Sequence, residues 1–154
     1  MVSNASTDTE LVLDARPSGR FTGKDPEPRQ GLRSGHMPFS VSLPFTHFID
    51  KHVAADGREY TTLRSPDGLR NGLIDAIGRE RVDLITQGRL RVITSCGSGM
   101  TAGILWLGLK QMGINQIALY DEVIFLLPSA ESNLMKQSWT GYAMRPSSVI
   151  ETSQ

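Results

Sequence analysis

Apolar residues along this chain fall into short blocks with two different rhythms. Leu11-Val12-Leu13 is a continuous apolar run ending at Asp14, and Gly35-His36-Met37-Pro38 reads as a turn feeding a second strand, Ser40-Val41-Ser42-Leu43, closed by Pro44. Runs this short, bounded by turn-forming and charged residues, predict buried strands. Between Pro66 and Glu80 the period changes. Leu69, Leu73 and Ile77, with Ile74 and Ala76 beside them, repeat at helical spacing, and Pro66 and Asp67 suit a helix start. Arg70, Arg79 and Glu80 fall on the polar side of that helix, and Ile85 to Arg89 reads as a connection. The β-branched run Val92-Ile93-Thr94 predicts a strand over Arg91 to Thr94. From Ala102 onward, and above all from Gly103 to Met112, the chain is apolar almost all round. This predicts a helix covered by sheet and neighbours, with Gly113 as its stop. Gln116 to Tyr120 reads as a further strand. Strand, helix and strand in that order form a βαβ unit, which calls for parallel pairing and a right-handed crossover.

Other stretches lack such periodicity. Residues 1–9 are polar and are expected to be disordered. From Arg16 to Arg33, Pro17, Gly19, Gly23, Pro26, Pro28 and Gly31 make a long helix or strand implausible. This loop carries Arg16, Arg20, Lys24, Arg29 and Arg33 against only Asp25 and Glu27. It is a candidate binding segment, the alternative being a solvated basic loop. Phe45 to Val53 reads as a short, weakly helical piece. Val123 to Gln137 begins apolar and turns polar after Pro128, and Ser138 to Arg145 resembles a terminal helix stopped by Pro146. The expected layout is a disordered segment at 1–9, one domain over 10–146 with an insertion at 123–137, and a polar tail at 147–154.

Composition narrows the function classes. With 154 residues, 39% of them hydrophobic and 21% charged, the chain suits one soluble globular domain. Sixteen basic residues balance sixteen acidic ones, so no net field draws it to nucleic acid or an anionic membrane. No apolar run approaches the roughly 18 residues of a membrane span. The first ten residues have neither the basic nor the apolar character of a targeting peptide, so a cytoplasmic location is expected, with a mitochondrial one as second choice. Histidines 47 and 52 are five apart and do not share a helical face, and His36 has no partner at metal spacing. No metal site and no cofactor are expected, and His36 is read as a structural residue of its turn.

The single cysteine carries the candidate chemistry. Cys96 lies between the strand ending at Thr94 and the following helix, in Cys96-Gly97-Ser98-Gly99-Met100-Thr101-Ala102. Amides of a glycine-rich loop can converge on one point, and a helix N-terminus adds positive potential there, so a thiolate at this position is favoured. A cysteine phosphatase of the C-x5-R kind needs a guanidinium six positions on, where this chain has Ala102. A cysteine protease needs a paired base, and nothing in the spacing joins a histidine to Cys96. A persulfide, stabilised by backbone amides alone, fits such a loop.

The same loop resembles the active-site loop of the rhodanese family, in particular the catalytic C-terminal domain of tandem sulfurtransferases acting on 3-mercaptopyruvate or thiosulfate. A second match is Leu13-Asp14-Ala15-Arg16, Gly19-Arg20-Phe21-Thr22-Gly23, Pro26-Glu27-Pro28-Arg29 and Gly31 to Pro38. Ala118-Leu119-Tyr120-Asp121 and Ser138-Trp139 resemble the family's final strand and the Ser-Trp pair that comes after it. The resemblance implies an α/β fold, a twisted parallel sheet flanked by helices. It implies that Cys96 is the catalytic residue, that Gly97, Ser98, Gly99, Met100 and Thr101 form its loop, and that Arg20 and Arg29 hold the anionic group of a small-molecule sulfur donor. Sulfane sulfur would pass through a Cys96 persulfide to a thiol or cyanide acceptor. Thiosulfate-preferring members carry a basic residue at the place of Ser98, so the hydroxyl here favours mercaptopyruvate.

Three departures accompany the resemblance. Phe39 stands where the family's turn continues with glycine, so a positive φ there would be strained. The stretch 123–137 separates segments that are contiguous in relatives. The family's N-terminal domain, which packs over the site, has no counterpart in these residues. The rival expectation is therefore a non-catalytic rhodanese-like module that binds a separate partner domain or a second copy of itself.

Overall fold

The computed structural model describes residues 9–28, 35–120 and 149–151. Among these the chain runs β1 (Glu10–Asp14), α1 (Ser18–Thr22), β2 (Val41–Ser42), a 3-10 turn (Phe45–Phe48), β3 (Ile49–Val53), β4 (Glu59–Leu63), α2 (Pro66–Ile77), α3 (Arg79–Thr86), β5 (Arg91–Ser95), α4 (Met100–Gln111), β6 (Ile117–Tyr120) and β7 (Val149–Glu151). The main sheet has the order β2-β1-β5-β6-β7. Its first four strands are parallel, as the βαβ pattern requires, and β7 closes the far edge antiparallel to β6. β7 comes from the stretch expected to be polar tail, so part of 147–154 belongs to the sheet. The insertion at 123–137 and the Ser138-Trp139 match lie outside the described residues.

This strand order positions the site. The chain leaves β1 toward β2 on one side and leaves β5 toward β6 on the other, so β1 and β5 are neighbours whose connections diverge. In an open parallel sheet that divergence opens a crevice beyond the carboxyl ends of the two strands. Asp14 and Ser95 are register partners there, and the Ala15 amide donates to the Ser95 carbonyl at 2.8 Å. The core lies beside the sheet. Leu13, Val92, Leu69, Leu73, Val82, Leu105 and Leu109 are fully buried in one cluster with Phe48. Each such side chain contributes about 1.5–3 kcal/mol of apolar burial.

Two predicted elements differ from those that form. The helix predicted over Pro66 to Glu80 stops at Ile77, because Gly78 has φ 84°, and the chain restarts as α3. Val82 and Ile85, three residues apart, are the buried side of this second helix, whereas the sequence pattern makes Ile85 the start of a connection. The weakly helical character of Phe45 to Val53 holds only for the 3-10 turn. Ile49–Val53 is extended because β4, unread in the sequence, offers an antiparallel partner, with His52 opposite Tyr60 and their rings stacked at 5.0 Å.

α4 buries Ala102, Leu105, Gly108 and Leu109, but Leu107 is 51% exposed. Among the described residues its apolar outer side is therefore uncovered. Gly108 is needed for its packing: a Cβ there would stand 2.5 Å from Cδ2 of the Phe48 ring. No helix among the described residues is long and apolar enough to cross a membrane.

The turn carrying Phe39 confirms the expected strain. The Ser40 amide donates to the Met37 carbonyl at 3.1 Å, Pro38 occupies the second position, and Phe39 at the third has φ 65°. Proline second and positive φ third is the type II pattern, whose third position favours glycine. The Phe39 ring is largely exposed and recovers little by packing. Phe39→Gly should therefore raise stability by up to about 1 kcal/mol, read as a higher urea midpoint at unchanged slope.

Candidate active site

The β5 strand delivers Cys96 to the crevice, and α4 begins four residues later. The sequence pattern starts this helix at Ala102, whereas it begins at Met100, after Gly99 with φ 79°. The earlier start places Thr101 in the first turn, where amides have no intrahelical acceptor. The sulfur serves as acceptor in its stead: the Ser98 amide points at Sγ from 3.4 Å. Cys96 is 4% exposed. Burial is the largest influence on its thiol and pushes it up. Hydrogen bonds from the Thr101 hydroxyl and from the amides of Ser98, Ala102 and Thr101 together outweigh it, so the thiol lies below its usual range.

The loop residues divide by role. Ser98, Thr101 and Ala102 touch the sulfur, while the Met100 side chain is exposed and contributes backbone. Gly97 has another function: a Cβ at this position would stand 3.1 Å from Nη2 of Arg20 and 3.9 Å from Cδ of Arg16. The basic loop after β1 thus lies directly against the cysteine loop. Thr101→Val removes the side-chain donor to the sulfur seen among the described residues. A hydrogen bond to a charged group is worth about 1.5–3 kcal/mol. Alkylation of Cys96 by iodoacetamide at neutral pH should consequently slow about tenfold or more, and the pH profile should inflect at higher pH than in the wild type.

Arg20 comes from α1, a five-residue helix closed by Gly23 at φ 77°. Its guanidinium binds Glu27 through Nη2 and, at 3.3 Å, through Nε. Arg29 lies outside the described residues; of the two predicted anchors, Arg20 is described and stands against the loop. Arg16, one of the loop cations in the sequence, is not available to a ligand: its side chain is 3% exposed. Its Nε contacts both Asp14 oxygens, at 3.0 and 3.1 Å, and its Nη2 donates to Asp14 and to the Gly35 carbonyl, each at 2.6 Å. Nη1 of Arg16 stands 3.9 Å from Glu27. Asp14, Arg16, Glu27 and Arg20 therefore form one chain of alternating charges beneath the crevice. Sequence reasoning places Asp14 at a strand end and misses this chain. The spacing Asp14-Ala15-Arg16, which puts a carboxylate and a guanidinium two residues apart at the end of a buried strand, is the available signal.

His36 stays structural. Its ring stacks on Phe21 at 4.0 Å, and Nδ1 lies 2.8 Å from the Phe21 carbonyl, tying the start of the Met37 turn to α1. Among the described residues no group of three His, Cys, Asp or Glu side chains could hold a metal ion.

No protein-family model matches the chain. It is 33% identical over 134 residues to the probable 3-mercaptopyruvate sulfurtransferase of Schizosaccharomyces pombe, covering 87% of this chain and 35% of that protein. It is 31% identical over 150 residues to the mitochondrial thiosulfate/3-mercaptopyruvate sulfurtransferase 1 of Arabidopsis thaliana, covering 97% of this chain and 31% of that one. The 3-mercaptopyruvate sulfurtransferase of Leishmania major superposes with a TM-score of 0.53 at 24% identity, over 75% of this chain and 28% of that one, which bears on the fold alone. The chain spans about a third of the length of the curated relatives it matches. With a parallel sheet flanked by helices, a buried cysteine in an amide-lined loop and this similarity, the chain belongs to the rhodanese family, in the branch of the 3-mercaptopyruvate and thiosulfate sulfurtransferases.

Proposed function

We propose that this chain is a sulfurtransferase domain in which Cys96 carries sulfur from a small anionic donor to a thiol or cyanide. The observation that carries the proposal is the thiol held below its usual range in a loop whose amides and Thr101 hydroxyl converge on Sγ. The thiolate attacks the donor's outer sulfur and forms an S–S bond. With 3-mercaptopyruvate the C–S bond breaks, and the electron pair leaves as the enolate of pyruvate, which takes up a proton. With thiosulfate the donor's S–S bond breaks and sulfite leaves. The acceptor thiolate or cyanide then attacks the outer sulfur, and the Cys96 thiolate returns.

Arg20 and Arg29 are the proposed anchors of the donor's anionic end, since a planar guanidinium matches a carboxylate or thiosulfonate. Nothing charged projects from Ser98, which favours the carboxylate donor. The mitochondrial relative makes a mitochondrial setting a proposal on a par with the cytoplasmic one. Incubation with each donor, followed by intact-mass measurement, tests the proposal. A gain of one sulfur atom, removed by dithiothreitol, is expected, and a folded chain that gains none with either donor would refute it.

A further inference from the structure

We propose that Glu27 is a positioning residue that holds the Arg20 guanidinium against the Cys96 loop, and so makes a flexible cation into a fixed anion anchor. The inference rests on Arg20 being the donor's anchor, as proposed above.

An arginine on a five-residue helix at a loop surface has many rotamers, and its side chain is 21% exposed here. One of them is selected by the Glu27 carboxylate, which Arg20 grips through Nη2 and Nε, leaving Nη2 3.1 Å from where a Cβ on Gly97 would stand. Glu27 is itself fixed from two directions. Its side chain is 3% exposed, and its far side faces Nη1 of Arg16, which Asp14 and the Gly35 carbonyl hold in place. Its backbone lies between Pro26 and Pro28. Each proline locks its own φ, and Pro28 also keeps Glu27 out of the helical region. The carboxylate is thus a rigid peg between an immobile guanidinium and a mobile one.

A peg of this kind has a cost that makes it testable. Its negative charge opposes an incoming anion by Coulomb repulsion, so a carboxylate that only neutralised Arg20 would weaken anion capture, and its removal would strengthen it. A positioning carboxylate gives the opposite sign. Both can be read without sulfur transfer, by alkylating Cys96 with iodoacetate, which is anionic, and iodoacetamide, which is neutral. In each case the thiolate forms a C–S bond and iodide leaves. The iodoacetate to iodoacetamide rate ratio, divided by the same ratio for glutathione, measures the anchor alone, and the iodoacetamide rate reports the state of the sulfur.

The wild-type chain should show a normalised ratio well above that of glutathione. Glu27→Gln should lower it about fivefold or more, because a shift of an anchor by about 1 Å forfeits most of its advantage. Glu27→Asp, which keeps the charge but withdraws it by one methylene, should lower it as well, and decides the matter if the glutamine variant does not fold. A ratio unchanged in both variants, or raised in Glu27→Gln, would overturn the proposal. A wild-type ratio equal to that of glutathione would instead remove Arg20 as the anchor, leaving sulfur loading of Cys96 to stand or fall by mass measurement.

Discussion

Cys96→Ser should gain no sulfur from either donor under conditions in which the wild-type chain is fully loaded. This is the largest effect the structure calls for. The serine hydroxyl is one atom away from the thiol in chemistry but far from it in acidity, and the amides of Ser98, Thr101 and Ala102 that hold a thiolate cannot ionise it at neutral pH. Because Cys96 is the only cysteine of the chain, no second thiol can stand in for it. The cavity barely changes, so the variant should unfold at a urea concentration close to that of the wild type. A Cys96→Ser protein that still gained sulfur would place the chemistry elsewhere.

Arg16→Met should destabilise the domain by about 3–5 kcal/mol, the loss expected when one partner of a buried ion pair is removed. Arg16 compensates Asp14 directly and faces Glu27, and all three side chains are at most 3% exposed. Removing the guanidinium leaves the Asp14 carboxylate without its bidentate partner in a site closed to water. Against a typical domain stability of about 5–15 kcal/mol this is a large fraction. Replacing both members, as in Asp14→Leu with Arg16→Met, should recover much of the loss, since a buried pair is often no better than apolar residues of similar volume. Urea denaturation of the two single variants and the double variant forms the cycle that measures the coupling. Equal losses that simply add would mean that the pair does not act as a unit.

Much of the sheet is legible in the sequence because short apolar runs have few alternatives. Leu11 to Leu13, Val92 to Thr94 and Ile117 to Tyr120 all form parallel strands. The candidate active-site loop is legible because cysteine between a β-branched run and paired glycines constrains both the backbone and the chemistry. Boundaries are less so. Periodicity alone carries Pro66 to Glu80 through Gly78, since it registers which side is apolar and not where φ turns positive. β3 escapes for another reason: Asp50, Lys51 and His52 give Ile49–Val53 no apolar alternation, and its extension rests on pairing with Glu59–Leu63 across the turn at Asp56-Gly57.

The charged residues show the division most clearly. By residue type and spacing, Arg16 and Arg20 are equivalent cations in one glycine- and proline-rich loop, and only the family resemblance separates them. In the fold one is buried against Asp14 and the other lies against Gly97 beside Cys96. The sequence by itself determined the family resemblance, the strands β1, β5 and β6 with helix α4 between the last two, and the cysteine at the β5–α4 junction, because these follow from local residue types and spacing. Only the tertiary structure decided that Arg16 is a strut and that Arg20, the arginine the resemblance singles out, lies against the Cys96 loop. That choice depends on burial and on the placement of Glu27 between the two guanidinium groups, and both arise only when β1 and β5 lie side by side.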